Sequence, residues 1–139
     1  MEYKRYGDKI FLRLNKGEEI VESVRAAASA ENITAGSLSG IGATDDFTVG
    51  VFDINKKAYE EFSFSGNHEI TALVGNISFA DGKPYVHLHI TCAGKGGNVV
   101  GGHLLKAAVS LTAEIVIDTA NGWVGREKDN ALGINLWKF

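Results

Sequence analysis

Tyr85-Val86-His87-Leu88-His89-Ile90-Thr91-Cys92 alternates residue by residue. Val86, Leu88, Ile90 and Cys92 fall on one side, and Tyr85, His87, His89 and Thr91 on the other. A period of two marks a half-buried β-strand, because successive side chains point to opposite faces. The aliphatic set is expected in the core, with Cys92 as a small buried hydrophobe. Residues 9–14 repeat the pattern with Ile10, Leu12 and Leu14 on one face. Working outward, further β runs are expected at 3–6, 34–43, 47–53, 58–64, 68–79 and 109–119. Polar turns such as Asn55-Lys56-Lys57 and Asp81-Gly82-Lys83 separate several of them.

One segment has a different period. Ile20, Val21, Val24, Ala27 and Ala28 form a single apolar stripe, which predicts a helix over 18–31. Glu18, Glu19 and Glu22 lie in its first turns, where the helix dipole favours negative charge, and Asn32 is the expected stop. Strands joined by short turns predict an α+β fold. It has a mainly antiparallel sheet of about seven strands, one flanking helix and a single domain over 1–139. The count of 17 glycines against one proline fits such a turn-rich β architecture. The tail, 121–139, is the least periodic stretch. It still carries Trp123, Leu132, Ile134, Leu136, Trp137 and Phe139, so it is expected to pack on the body or on a neighbouring subunit.

Composition narrows the function classes. The chain has 139 residues, 45% apolar and 22% charged, the profile of a globular protein. No apolar run exceeds three residues, so no membrane-spanning helix is expected. The N-terminal residues are polar and resemble no secretory signal, which makes the cytoplasm the expected location. The 14 basic and 17 acidic residues leave a net charge of −3, without the basic surplus that phosphate binding draws on.

His87, His89 and His103 are three of the chain's four histidines. Same-face residues two apart on a strand are about 6–7 Å apart at Cα, so His87 and His89 can converge on one ion. Gly101-Gly102 runs into His103 and would aim it back at the pair. Three imidazoles with one position left open make the ligand set of a catalytic zinc site, though imidazole also suits iron, nickel and copper. Two histidines on an open strand face are also common surface residues. The fourth, His68, reads as a turn residue.

Residues 94–102 form a glycine-rich stretch in which Gly94, Gly96, Gly97, Gly101 and Gly102 are the candidate ligand-binding loop. It lacks the phosphate-loop signature, so a flexible connection with backbone amides available to an anion is expected. Glu114 sits in an apolar strand as a solvent-facing residue or as the candidate acid behind the histidines. Glu69 and Asp118 are further candidate bases.

In order along the chain come Ser39-Gly40-Ile41-Gly42-Ala43, His68-Glu69-Ile70, Gly75-Asn76-Ile77-Ser78, Pro84-Tyr85-Val86-His87-Leu88-His89, Gly101-Gly102-His103-Leu104 and Glu114-Ile115-Val116-Ile117. This series resembles the plant and prokaryote conserved (PPC) domain family in its stand-alone prokaryotic form. The resemblance implies a mainly antiparallel sheet with a flanking helix, a homotrimer, and a divalent-metal site at His87, His89 and His103. It also implies a DNA-associated or regulatory role. No Arg-Gly-Arg-Pro hook is present, so that role rests on the fold analogy alone. Two other classes stand beside it: a metal-dependent enzyme, and a small-ligand-binding trimer with no direct role on DNA.

Overall fold

The computed structural model describes residues 1–139. Strand β1 (Glu2–Tyr6) turns into β2 (Lys9–Asn15), and helix α1 (Ile20–Ala30) follows. Then come β3 (Gly36–Asp53), β4 (Ala58–Ala80), β5 (Lys83–Ala93) and β6 (Val99–Thr119). The tail forms β7 (Gly125–Asp129) and β8 (Ile134–Lys138). The eight strands make one sheet, antiparallel throughout except for a single parallel pair between Phe79 and Gly125.

Three long strands organise it. β3 pairs with both β4 and β6, and β5 pairs with the same two strands from the other side. The hydrogen-bonded circuit β3–β4–β5–β6 therefore closes on itself, which leaves none of the four with a bare edge there. Sequence reading expects breaks at 44–46 and 65–67, but the strands run through both. β3 absorbs the first as register shifts at Thr44 to Asp46, and such bulges bend a strand without ending it.

The alternation reads directly as burial. Ile10, Leu12 and Leu14 of β2 are buried, as are Leu88, Ile90 and Cys92 of β5. In β6 the phase changes between Leu104 and Ala107. There β6 carries one extra residue opposite Thr48 and Val49, so both side chains still point inward. The Cys92 thiol, buried and free, is pushed up to about 11 by burial, which makes it inert at neutral pH.

Helix α1 lays Ile20, Val21, Val24, Ala27 and Ala28 against β5 and β6. It begins two residues later than the sequence suggests, because Glu19 is the cap. The Glu19 carboxylate accepts from the Glu22 amide at 2.7 Å and from the Ala107 amide of β6 at 2.9 Å, which fixes the helix to the sheet. Asn32 takes the left-handed conformation just past the end, as a stop residue should.

The tail packs on the body only in part. The Phe79 amide donates to Val124, and the Thr34 hydroxyl donates to Gly122. Trp123, Leu136, Trp137 and Phe139 nevertheless stay exposed on the single chain.

Candidate metal centre

Residues directly opposite on paired strands point to the same face. His89 of β5 is paired with His103 of β6, and His87 lies one alternation away on β5. One nitrogen from each of the three rings lies within 4.8 Å of the others. Ring centroids are 4.9 Å apart for His87 and His103, 5.2 Å for His87 and His89, and 5.4 Å for His89 and His103. Ligand atoms around a tetrahedral zinc are about 3.4 Å apart, so the three nitrogens would need to close by no more than about 1.4 Å to share one ion.

The two glycines before His103 act differently from the turn expected of them. Gly101 and Gly102 lie within β6, and a Cβ on Gly101 would come within 2.3 Å of the Ile90 carbonyl oxygen. The missing side chain lets β6 close against β5, and that approach sets His103 opposite His89. On the other flank His103 pairs with Gly50 of β3, where a Cβ would meet the Tyr59 ring at 2.6 Å. Gly50 thus leaves room for Tyr59 to stack on His103, with centroids 4.8 Å apart.

The donor set fits a metal. His103 Nδ1 is buried and has no hydrogen-bond partner, a costly state for a polar atom. Burial first, then the neighbouring His87 and His89, push the His103 imidazole down to about 4. Burial, His89 and Arg126 lower His87 as well. Both rings are therefore neutral at pH 7, the form that coordinates a metal.

A cavity of about 410 Å³ opens beside His87 and His103, walled by Tyr59, Tyr85 and the β7–β8 hairpin. Arg126 of β7 enters it. Its guanidinium lies over the Tyr85 ring at 4.6 Å, with Nε donating to Ser78 Oγ and one Nη to Asn76 Oδ1, both at 2.8 Å. The other Nη donates to the Asn135 carbonyl at 3.2 Å. Sequence reading misses Arg126, Tyr59 and Gly50 as site residues. Tyr85 shares the His87 face in the alternation, but no local spacing links the tail or β4 to it.

Other candidates lie elsewhere. Glu114 is exposed toward the far end of β6, opposite Arg13 and Ile41, so it is no acid behind the histidines. Asp118 is ion-paired with Lys9. Gly94, Gly96 and Gly97 form a short turn after β5, closed by the Gly97 amide on the Gly94 carbonyl at 3.0 Å. That turn borders a separate pocket with His68 and Glu69. His68 itself packs edge-on against Phe47, and its Nδ1 sits 2.7 Å from the Gly66 carbonyl oxygen.

Residues 1–121 match the family described as the Plants and Prokaryotes Conserved (PCC) domain. The chain belongs to this family. Among solved structures, the PCC domain here superposes on a "putative DNA-binding protein" from Bacteroides thetaiotaomicron with a TM-score of 0.96 and 34% identity. The match covers 99% of this chain and 96% of that one. It superposes on a "metal-containing protein" from Archaeoglobus fulgidus with a TM-score of 0.88 and 33% identity, covering 99% and 97%. It is also 33% identical over 125 residues to the bifunctional protein GlmU of Synechococcus sp. strain JA-3-3Ab. That match takes in 88% of this chain but 19% of GlmU, so the chain spans about a fifth of that relative. No helix of the PCC domain is long and apolar enough to cross a membrane.

Proposed function

We propose that this single-domain PCC protein is a metal-binding module whose centre is His87, His89 and His103. The observation that carries the reading is the convergence of three imidazoles around the buried, unpartnered Nδ1 of His103. Three neutral imidazoles with an open position are the ligand set of catalytic zinc, and a divalent ion held there would supply Lewis acidity. The chain's own part is to hold the His87 and His103 rings neutral, to cover His103 with Tyr59, and to leave the cavity beside His87 for a ligand. The Archaeoglobus relative, a metal-containing protein, supports this reading. Elemental analysis of protein purified without chelator or added metal tests it. About one transition-metal ion per chain is expected, and a metal-free preparation that also refuses zinc overturns it.

The cytoplasmic, trimeric form belongs to the same proposal. Phe11, Ile41 and Val74 stand about half exposed around an apolar cavity of about 650 Å³ on the sheet. Such a patch on one chain suits a closed cyclic interface between copies. Sedimentation equilibrium at micromolar concentration should return a mass near three times the 14.9 kDa of the chain. A monomer mass would remove the trimer.

Direct DNA binding, the role suggested by the name of the Bacteroides relative, is expected to be weak. The net charge is −3, and Arg5, Lys9, Arg13, Arg25, Lys56, Lys106 and Lys138 are all ion-paired with carboxylates. Half of the 14 Lys and Arg side chains are thus already matched to carboxylates, so a gel shift on a short duplex at physiological salt should give a Kd of about 1 µM or weaker. Nanomolar binding with a steep salt dependence would make DNA the ligand after all.

A further inference from the structure

The cavity beside the histidines has a one-sided charge. Lys57, Arg126 and Lys128 line it, and no aspartate or glutamate does. Arg126 pairs with no carboxylate. Its three hydrogen bonds go to a hydroxyl, an amide oxygen and a backbone carbonyl, all neutral. A guanidinium has five N–H groups, so one remains on each terminal nitrogen. Those three bonds and the Tyr85 face beneath it hold the fork in place, which lowers the entropy lost when it binds a planar or tetrahedral oxyanion. A partly buried cation without a counter-charge is costly, and a second cation at the histidines would add to the imbalance. The remaining wall is apolar and aromatic, with Phe52, Tyr59, Tyr85 and Ile134.

We infer that this cavity binds a small organic oxyanion, a carboxylate or a phosphate. Its head group sits between Arg126 and the His87–His89–His103 centre, and its apolar body lies against Tyr59 and Ile134. The inference rests on the metal reading for one end of the ligand and on Arg126 for the other. The histidines give the anion a cation to coordinate, and the guanidinium supplies charge-assisted hydrogen bonds that fix its orientation. A cavity of about 410 Å³ is of the size that small-molecule sites use.

Three probes with one body separate the head groups: benzoate, phenyl phosphate and the uncharged benzamide. Each is titrated calorimetrically into zinc-treated protein, and zinc uptake is measured separately for every variant. Benzoate or phenyl phosphate should bind at least about tenfold more tightly than benzamide, and the stronger of the two identifies the anion class. Arg126→Met should weaken the anion at least about tenfold while zinc uptake stays at the wild-type level, and Arg126→Lys should fall between. A second measurement needs no variant: the Arg126 Nε resonance of the ¹⁵N-labelled wild type should shift on titration with the anion. Equal binding of benzamide, an unmoved Nε resonance, or unchanged anion affinity in a folded Arg126→Met overturns the inference. Failed zinc uptake in the wild type instead overturns the metal reading, and the Nε shift in metal-free protein then tests the arginine end alone.

Discussion

Replacing any one of His87, His89 or His103 with alanine should reduce zinc affinity by about a hundredfold or more, while His68→Ala binds as the wild type does. Loss of a group that merely orients a ligand already costs 10–100-fold in metal affinity, so loss of a ligand should cost at least the upper end of that range. His68 is the internal control because it packs on Phe47 and the Gly66 carbonyl, away from the other three. Calorimetric titration of the four variants reads the result directly. Four variants that bind zinc equally would reduce the cluster to surface histidines. Acid should release the metal, because protons and metal compete for the same lone pairs. In the metal-free fold His103 is held down near 4, against the usual imidazole value of about 6.5. Between those values the unfolded chain binds a proton that the folded chain does not. Stability of the metal-free protein therefore declines as pH falls through that window. Zinc should raise Tm at pH 7, and the increment should shrink as pH drops.

Most of the sheet is legible in local alternation, because a half-buried strand must alternate. Residues 85–92 and 9–14 read correctly from side-chain period, whereas 109–119 is only the second half of a strand that begins at Val99. Strand length is less legible. Gly66 and the residues at 44–46 look like breaks, yet β4 and β3 pass through them. Ladder pairing with neighbouring strands outweighs the local preference for a turn. The same effect moved Gly101 and Gly102 from an expected loop into β6, where their value is close strand contact. His87 and His89 are legible as a pair because they share one strand. His103 reaches them by long-range register, and the sequence carries only the glycines and the family likeness as clues. Arg126 enters from a hairpin whose docking no local pattern encodes. Glu114 shows the converse failure: an acid in an apolar strand draws attention, but the far end of β6 faces another part of the surface.

Phe47→Ala should cost about 3–5 kcal/mol of stability, the range for deleting a fully buried phenyl ring. Phe47 is completely buried where β3 bends, one residue past the register shift at Asp46. It stacks on Phe64 of β4 with centroids at 5.1 Å and an interplanar angle of 23°, and it receives the His68 ring edge-on at 5.1 Å. On the other side its pairing partner is Ala107, itself buried and tied to the helix cap through Glu19. Alanine would leave a void that these neighbours, fixed by two ladders and a cap, are poorly able to fill. Phe47→Leu keeps most of the volume and should cost less, losing mainly the aromatic contacts. Urea unfolding followed by circular dichroism at one fixed protein concentration measures both, since any subunit association adds to apparent stability. A Phe47→Ala loss below about 1 kcal/mol would mean that the bend relaxes around the gap. The consequence extends to the centre, because Gly50, three residues further along β3, is the strand partner of His103. Loosening β3 at the bend should weaken zinc binding as well, and Phe47→Leu should largely preserve it.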